Sequence, residues 1–261
     1  VFVTGNTGID ALHWAADLHQ EWPDPRLARL DQLDVPLLVV TAHRRENLGA
    51  PIQRIAAAVR QIALERPDLV VVWPVHPNPK VRDDVYGILG GTPNVVLTEP
   101  MDYIPFARLL QRATLAISDS GGVQEEAPSV GTPVLVAREE SERPEGVEAG
   151  ALILVGSDTD RIREVSLKLL SDPAARSAMT AIRNPFGDGH AARRIREALE
   201  YLVFDTMPPD RYGAAFSRMK VLEASGYDAR EIEITSGKIA AAHPELRKGA
   251  GAMLALASMR R

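Results

Sequence analysis

Cysteine is absent from the 261 residues, which removes disulfides, thiolate nucleophiles and cysteine-ligated zinc from consideration. Long hydrophobic runs are missing too: none approaches the roughly 20 residues that a membrane-spanning helix needs. The opening Val1-Phe2-Val3-Thr4-Gly5 lacks the basic leading region of a signal peptide, so a cytoplasmic location is the expectation. The chain starts on valine rather than methionine, which predicts a fragment or a processed product. There is no excess of basic charge. A net charge of −5 and a pI near 5.7 disfavour a general nucleic-acid or membrane-surface binder, while leaving room for a local basic pocket. Nor do His, Asp and Glu recur at metal-ligand spacings. His13, His19, His190 and His243 stand apart from any motif, and neither a metal nor a cofactor is expected.

What is present is apolar content, 45% of the residues, enough in a chain of this length for one large or two ordinary domains. Residues 36–41 read as a buried strand. Ile52, Ile55, Ala56, Val59, Ile62 and Ala63 fall at helical spacing, and the β-branched run at 69–73 is ended by Pro74. The alternation repeats, with strands at 94–97, 115–118, 133–136 and 151–155, and helices at 103–113 and 158–170, the latter capped by Asp158 or Thr159. Strands this apolar, alternating with helices, predict an α/β fold: a doubly wound parallel sheet, Rossmann-like, covered on both faces across residues 35–203. Residues 1–34 read as a helix from Ile9 to about 19 and a linker with Pro23 and Pro25. Beyond a helix at 193–202, Met207-Pro208-Pro209 marks a break, and 204–261 reads as a mainly helical appendage.

The stretch richest in chemistry is Asp119-Ser120-Gly121-Gly122-Val123-Gln124-Glu125-Glu126, a glycine-bearing turn between a strand and a helix. Free backbone N–H groups there, with the positive end of a helix dipole behind them, suit a phosphate or diphosphate. A carboxylate one turn on can accept from ribose hydroxyls. The strand at 36–41 runs into His43-Arg44-Arg45-Glu46-Asn47, a basic cluster at the carboxyl end of a strand, where open α/β sheets place ligand loops. A nucleotide diphosphate is the ligand this predicts. A plain tight turn and a structural histidine are the duller alternatives.

Thr4-Gly5-Asn6-Thr7 with Ile9-Asp10-Ala11-Leu12, His43 to Asn47, Pro74-Val75-His76-Pro77-Asn78-Pro79, Asp119 to Pro128, Glu142-Arg143-Pro144-Glu145 and Asn184-Pro185-Phe186-Gly187-Asp188-Gly189 together resemble the non-hydrolysing UDP-N-acetylglucosamine 2-epimerases. The resemblance covers about 1–203 and corresponds to the carboxyl-terminal half of that family, whose fold is the two-domain GT-B arrangement. It implies interconversion of UDP-GlcNAc and UDP-ManNAc by elimination and re-addition of UDP through a 2-acetamidoglucal. It also implies roles: Ser120, Gly121 and Gly122 at the diphosphate, Glu126 at the ribose, Phe106 at the uracil, Arg143 completing the nucleotide site, and His43 as the catalytic group beside the leaving UDP. Arg44 and His76 would contribute to a regulatory UDP-GlcNAc site. UDP-GlcNAc and UDP are thus the implied partners, with a homodimer as the assembly left open.

This chain departs from the family in two ways. Met101 stands where some members have glutamine, and the amino-terminal domain that supplies the sugar-side carboxylates is missing, so residues 1–34 are expected to be the exit segment or hinge from it. Glu125, adjacent to Glu126, is expected to be solvated or to serve the helix dipole, since two neighbouring helical positions cannot both face the site. Phe106 has core packing as its alternative. A GT-B UDP-sugar glycosyltransferase and a non-enzymatic UDP-sugar-binding module are the competing functional readings.

Overall fold

The computed structural model describes residues 1–213, His19 and Leu33 excepted. The described residues form two compact units, Gly5–Ala192 on the one hand and Val1–Thr4 with the described residues from Arg193 on the other. The first unit is built on six parallel strands, β1 (Leu37–Thr41), β2 (Val70–Pro74), β3 (Val95–Thr98), β4 (Leu115–Ser118), β5 (Val134–Val136) and β6 (Leu152–Leu154), in the order β3-β2-β1-β4-β5-β6. This bears out the Rossmann-like α/β class.

Alternation along the strands accounts for the two covered faces, since successive side chains point to opposite sides of a sheet. Leu38, Val40, Val71, Trp73 and Ile117 pack with Ile52, Ile55, Val59 and Ile62 of α2 (Ala50–Glu65) and with Ile162 and Leu169 of α7 (Thr159–Ser171). Leu37, Val39, Val72, Ala116 and Val136 turn the other way, onto Leu109 and Leu110 of α4 (Tyr103–Arg112). Each fully buried aliphatic side chain contributes about 1.5–3 kcal/mol.

The remaining helices are α1 (Thr7–Ala16), α3 (Pro79–Leu89), α5 (Gly121–Glu126), α6 (Pro144–Glu148), α8 (Pro173–Thr180) and α9 (Ala191–Phe204). The sequence reading contains neither α3, α6 nor α8. Capping defines several starts. Asn6 accepts from the Gly8 amide, Asn78 from Lys80, Asp158 from Arg161 and Asp172 from Ala175.

The packing does not divide near residue 34. Leu12, Ala15 and Ala16 of α1 are buried against Ala107 of α4, and Leu27 and Leu30 of a 3-10 turn at Pro25–Asp31 enter the core of one sheet face. In the second unit, the Tyr212 amide donates to the Val3 carbonyl, the Arg194 guanidinium lies over the Tyr212 ring, and Asp210 pairs with Arg193 and Arg194. The expected helical appendage lies, from residue 214 on, outside the described residues. Among the described residues no helix is long and apolar enough to cross a membrane.

Candidate functional site

The strand order reverses direction between β1 and β4, whose carboxyl ends lie side by side with Thr41 opposite Ser118. Ligands of open α/β sheets bind outside such a switch point. Here the two loops that leave it are the ones the sequence singles out: Ala42 to Asn47 after β1, and Asp119-Ser120 before α5.

Asp119 joins the two loops. It is fully buried, and its Oδ2 accepts from the amides of His43 and Arg44, both at 2.8 Å, and from Asn47 Nδ2 at 2.9 Å. Its Oδ1 lies 3.7 Å from His43 Nδ1. The His43 ring, 36% exposed, stacks on His76 with centroids 5.2 Å apart and planes 7° apart. Burial holds the His43 imidazole below the usual histidine range; Asp119 works in the opposite direction, and His76 and Arg44 add to the lowering.

Two guanidinium groups converge on the start of α5. The Nη2 atoms of Arg44 and Arg143 each stand 3.5 Å from the point where a Cβ on Gly121 would sit. Arg44 Nε is buried with no hydrogen-bond partner. Ser120 makes no capping side-chain bond, so its own hydroxyl does not close off the first turn of α5. The expectation of free amides at this junction needs one correction, because the Ser120 N–H is already used: it donates to Ser118 Oγ at 3.0 Å. Guanidinium groups over a glycine turn at a helix start are chemically suited to an anion.

Glu125 is not solvated. Its side chain is 13% exposed, accepts from Arg143 Nε on one oxygen and from Asn6 Nδ2 on the other, and so fixes the arginine that flanks Gly121. Its backbone carbonyl accepts from Asn184 Nδ2 at 2.8 Å, while the Asn6 amide donates to the Phe186 carbonyl. The Asn184–Gly189 motif is thus a strap across α5 and the start of α1. Gly187 lies so near α1 that a Cβ there would meet Ile9 Cδ1 at 2.9 Å.

Glu126 points elsewhere, accepting from Tyr103 Oη at 3.3 Å beside the Gly8 carbonyl. Burial pushes its carboxyl up to about 7; the Tyr103 hydroxyl opposes the rise and the neighbouring Glu125 charge adds to it. Burial, helped by the Glu126 charge, pushes the Tyr103 phenol up to about 12.

The site residues named from sequence fall as follows. Ser120, Gly121, Gly122, His43 and Arg143 come together at the two loops, whereas Glu126, at the end of α5, is turned toward Tyr103 and Gly8. Arg44 and His76, set apart for a second site, stand in the same cluster, at Gly121 and against His43. Phe106 is half-buried and packs with Met101 against the core of the α4 face. Asp119 and Tyr103 are additions. The signal for Asp119 was an acid placed directly after an apolar strand, where a buried carboxylate needs donors.

A family profile described as UDP-N-acetylglucosamine 2-epimerase matches residues 1–200. A Yersinia pestis protein named UDP-N-acetylglucosamine 2-epimerase is 47% identical over 206 residues, which is 77% of this chain and 54% of that protein. Among solved structures, an S. aureus protein in a co-structure with UDP superposes with a TM-score of 0.74 at 38% identity, over 82% of this chain and 57% of that one. A UDP-GlcNAc 2-epimerase from Neisseria meningitidis, bound to UDP-GlcNAc, gives 0.68 at 40% identity, over 76% and 54%. The chain spans about half the length of the curated relatives it matches.

Proposed function

This chain belongs to the UDP-N-acetylglucosamine 2-epimerase family, and from that premise we propose that it binds the UDP end of UDP-GlcNAc and forms the nucleotide half of an epimerising site. The observation that carries the proposal is the convergence of Arg44 and Arg143 on Gly121 at the switch point of the sheet. Two guanidinium groups over a glycine turn offer N–H donors to a diphosphate, with the charge of Arg143 partly balanced by Glu125. Glu126 is the ribose acceptor, and Phe106 flanks the base.

In the reaction so proposed, a base removes the C2 proton as the C1=C2 bond forms and the C1–O bond breaks with its electron pair going to the diphosphate. In the return step a proton is delivered to the opposite face of C2, the C1=C2 pair forming the new C2–H bond, while a diphosphate oxygen re-forms the bond to C1, which gives the other C2 configuration. In this reading His43 is the group beside the leaving oxygen, where negative charge grows and a fixed donor has most effect. The sugar-side base belongs to the half of the family's architecture that this chain does not match, so two facing domains of GT-B type make up the complete site.

Calorimetry with UDP tests the binding. UDP should bind the chain, and Glu126→Ala should weaken binding by about 1.5–3 kcal/mol, the range for a hydrogen bond to a charged group. Equal affinities would remove Glu126 from the site, and no binding to the wild type would sink the proposal. Incubated alone with UDP-GlcNAc in heavy water, the chain should incorporate no deuterium at C2. Incorporation above a heat-killed control would place the base within these residues.

A further inference from the structure

We infer that Asp119 is a positioning residue for His43: it keeps Nδ1 of the imidazole protonated, so that the proton His43 exchanges with a ligand sits on Nε2, on the side of the ring turned away from Asp119. The inference rests on reading His43 as the group beside the leaving diphosphate.

The first support is the use made of the two carboxylate oxygens. Oδ2 is committed to three donors, two of which are the backbone amides of His43 and its neighbour Arg44. The carboxylate is therefore fixed relative to the backbone that carries the ring, and cannot swing away without breaking all three bonds. Oδ1 is left over. It is buried, has no hydrogen-bond partner, and faces His43 Nδ1 at 3.7 Å. That separation is an ion-pair distance rather than a hydrogen bond, and such contacts commonly shorten when substrate arrives. A buried acceptor without a partner is unfavourable, whereas an N–H directed at it from Nδ1 relieves the deficit.

A second support is the restriction of the ring on its other sides. His76 stacks parallel on one face, which leaves a half-turn flip about the Cβ–Cγ bond as the ring's main freedom, and a carboxylate aimed at Nδ1 opposes it. The charged or titratable groups facing the ring are Asp119, His76 and Arg44. Of these only Asp119 is an acceptor for Nδ1–H. Hydrogen bonding at one ring nitrogen sets the chemistry available at the other. With Nδ1–H pinned, the cationic ring presents Nε2–H to an anionic oxygen. When that proton passes to the oxygen, the N–H electron pair stays on Nε2, and the neutral ring is already in the Nδ1–H form. No electrons are exchanged, and the ring need not turn.

The test reads the tautomer directly in the full chain. Labelled with 15N-histidine, the protein gives long-range proton–nitrogen spectra in which His43 is assigned by comparison with His43→Gln. Above its titration midpoint the wild-type His43 should be protonated at Nδ1. Asp119→Asn should shift the neutral ring toward the Nε2–H form, because the amide NH2 turned to Nδ1 is a donor, and should lower the midpoint by about one pH unit or more. His13 and His190, recorded in the same spectra, should not move, which separates a local effect from loss of fold. A wild-type His43 protonated at Nε2 overturns the inference even if Asp119→Asn fails to fold. An unchanged tautomer and midpoint in a folded Asp119→Asn overturn it as well. None of these readouts requires UDP to bind, so the inference and the proposed function fail separately.

Discussion

As the proposed ribose acceptor, Glu126 is subject to two opposed requirements. Its carboxyl is pushed up from the ordinary 4.5 to about 7 mainly by burial, so between those values the folded chain holds a proton that the unfolded chain releases. Stability therefore falls as pH rises through that window, since ionising a buried carboxylate disfavours the folded state. Ribose recognition needs the opposite, because only the ionised form accepts from both hydroxyls without offering a proton of its own. The melting temperature of the chain alone should fall between about pH 5 and 7 more steeply than that of Glu126→Gln. UDP affinity, measured as the difference between wild type and Glu126→Gln, should instead grow as pH rises through about 7. The variant is needed as the reference because His43 also titrates below its usual range. Parallel melting and binding profiles in the two proteins would show that Glu126 does not ionise in this window.

At the scale of elements, Asp10 of α1 accepts from the amides of Ala191 at 3.0 Å and Ala192 at 2.8 Å, so a carboxylate from the start of the chain closes the first turn of α9. Asp10→Ala should destabilise the protein by about 1 kcal/mol, as loss of a helix cap does, read from the urea midpoint at constant slope. Asp10→Asn should lose less, because its amide oxygen still accepts one bond. A midpoint unchanged in Asp10→Ala would show that water satisfies those amides equally well.

Elements of this kind also show what a sequence carries. The six strands and the long helices α2, α4 and α7 are legible because period and length agree over many residues. Val81, Val85 and Leu89 give α3 the same signal at i, i+4 and i+8, but its start lies among Pro74, Pro77 and Pro79, which read as turn. The five residues of α6 and eight of α8 are too short for periodicity to stand out, and packing rather than propensity holds them. The site divides in the same manner. The glycine turn and the basic cluster are contiguous and can be read directly. The ties of Glu125 to Arg143 and Asn6, and of Asp119 to the His43 loop, cross long stretches of chain and depend on which side chains the fold brings together.

For the molecule as a whole, ordered contacts among the described residues continue past residue 203. Tyr212 is only 4% exposed, its amide bonds to Val3, and Asp210 pairs with Arg193 and Arg194. A chain ended after Gly213 should therefore be more stable than one ended after Val203 by on the order of 2 kcal/mol, the scale of one hydrogen bond, one cation–π contact and a buried ring. Differential scanning calorimetry on the two truncations decides; equal melting temperatures would mean that Tyr212 and Asp210 add nothing.

The position of the proposed diphosphate site between β1 and β4 also bears on how it comes into being. Thr41 and Ser118 are neighbours across the sheet yet 77 positions apart in the chain. Closing so long a loop costs chain entropy before any pairing rewards it, whereas the nearby unit β1-α2-β2 closes early. A partly folded chain can hold most of its helices and still have no place for a diphosphate. Under the proposed function, UDP affinity depends on that long-range pairing and so serves as a reporter of the completed sheet.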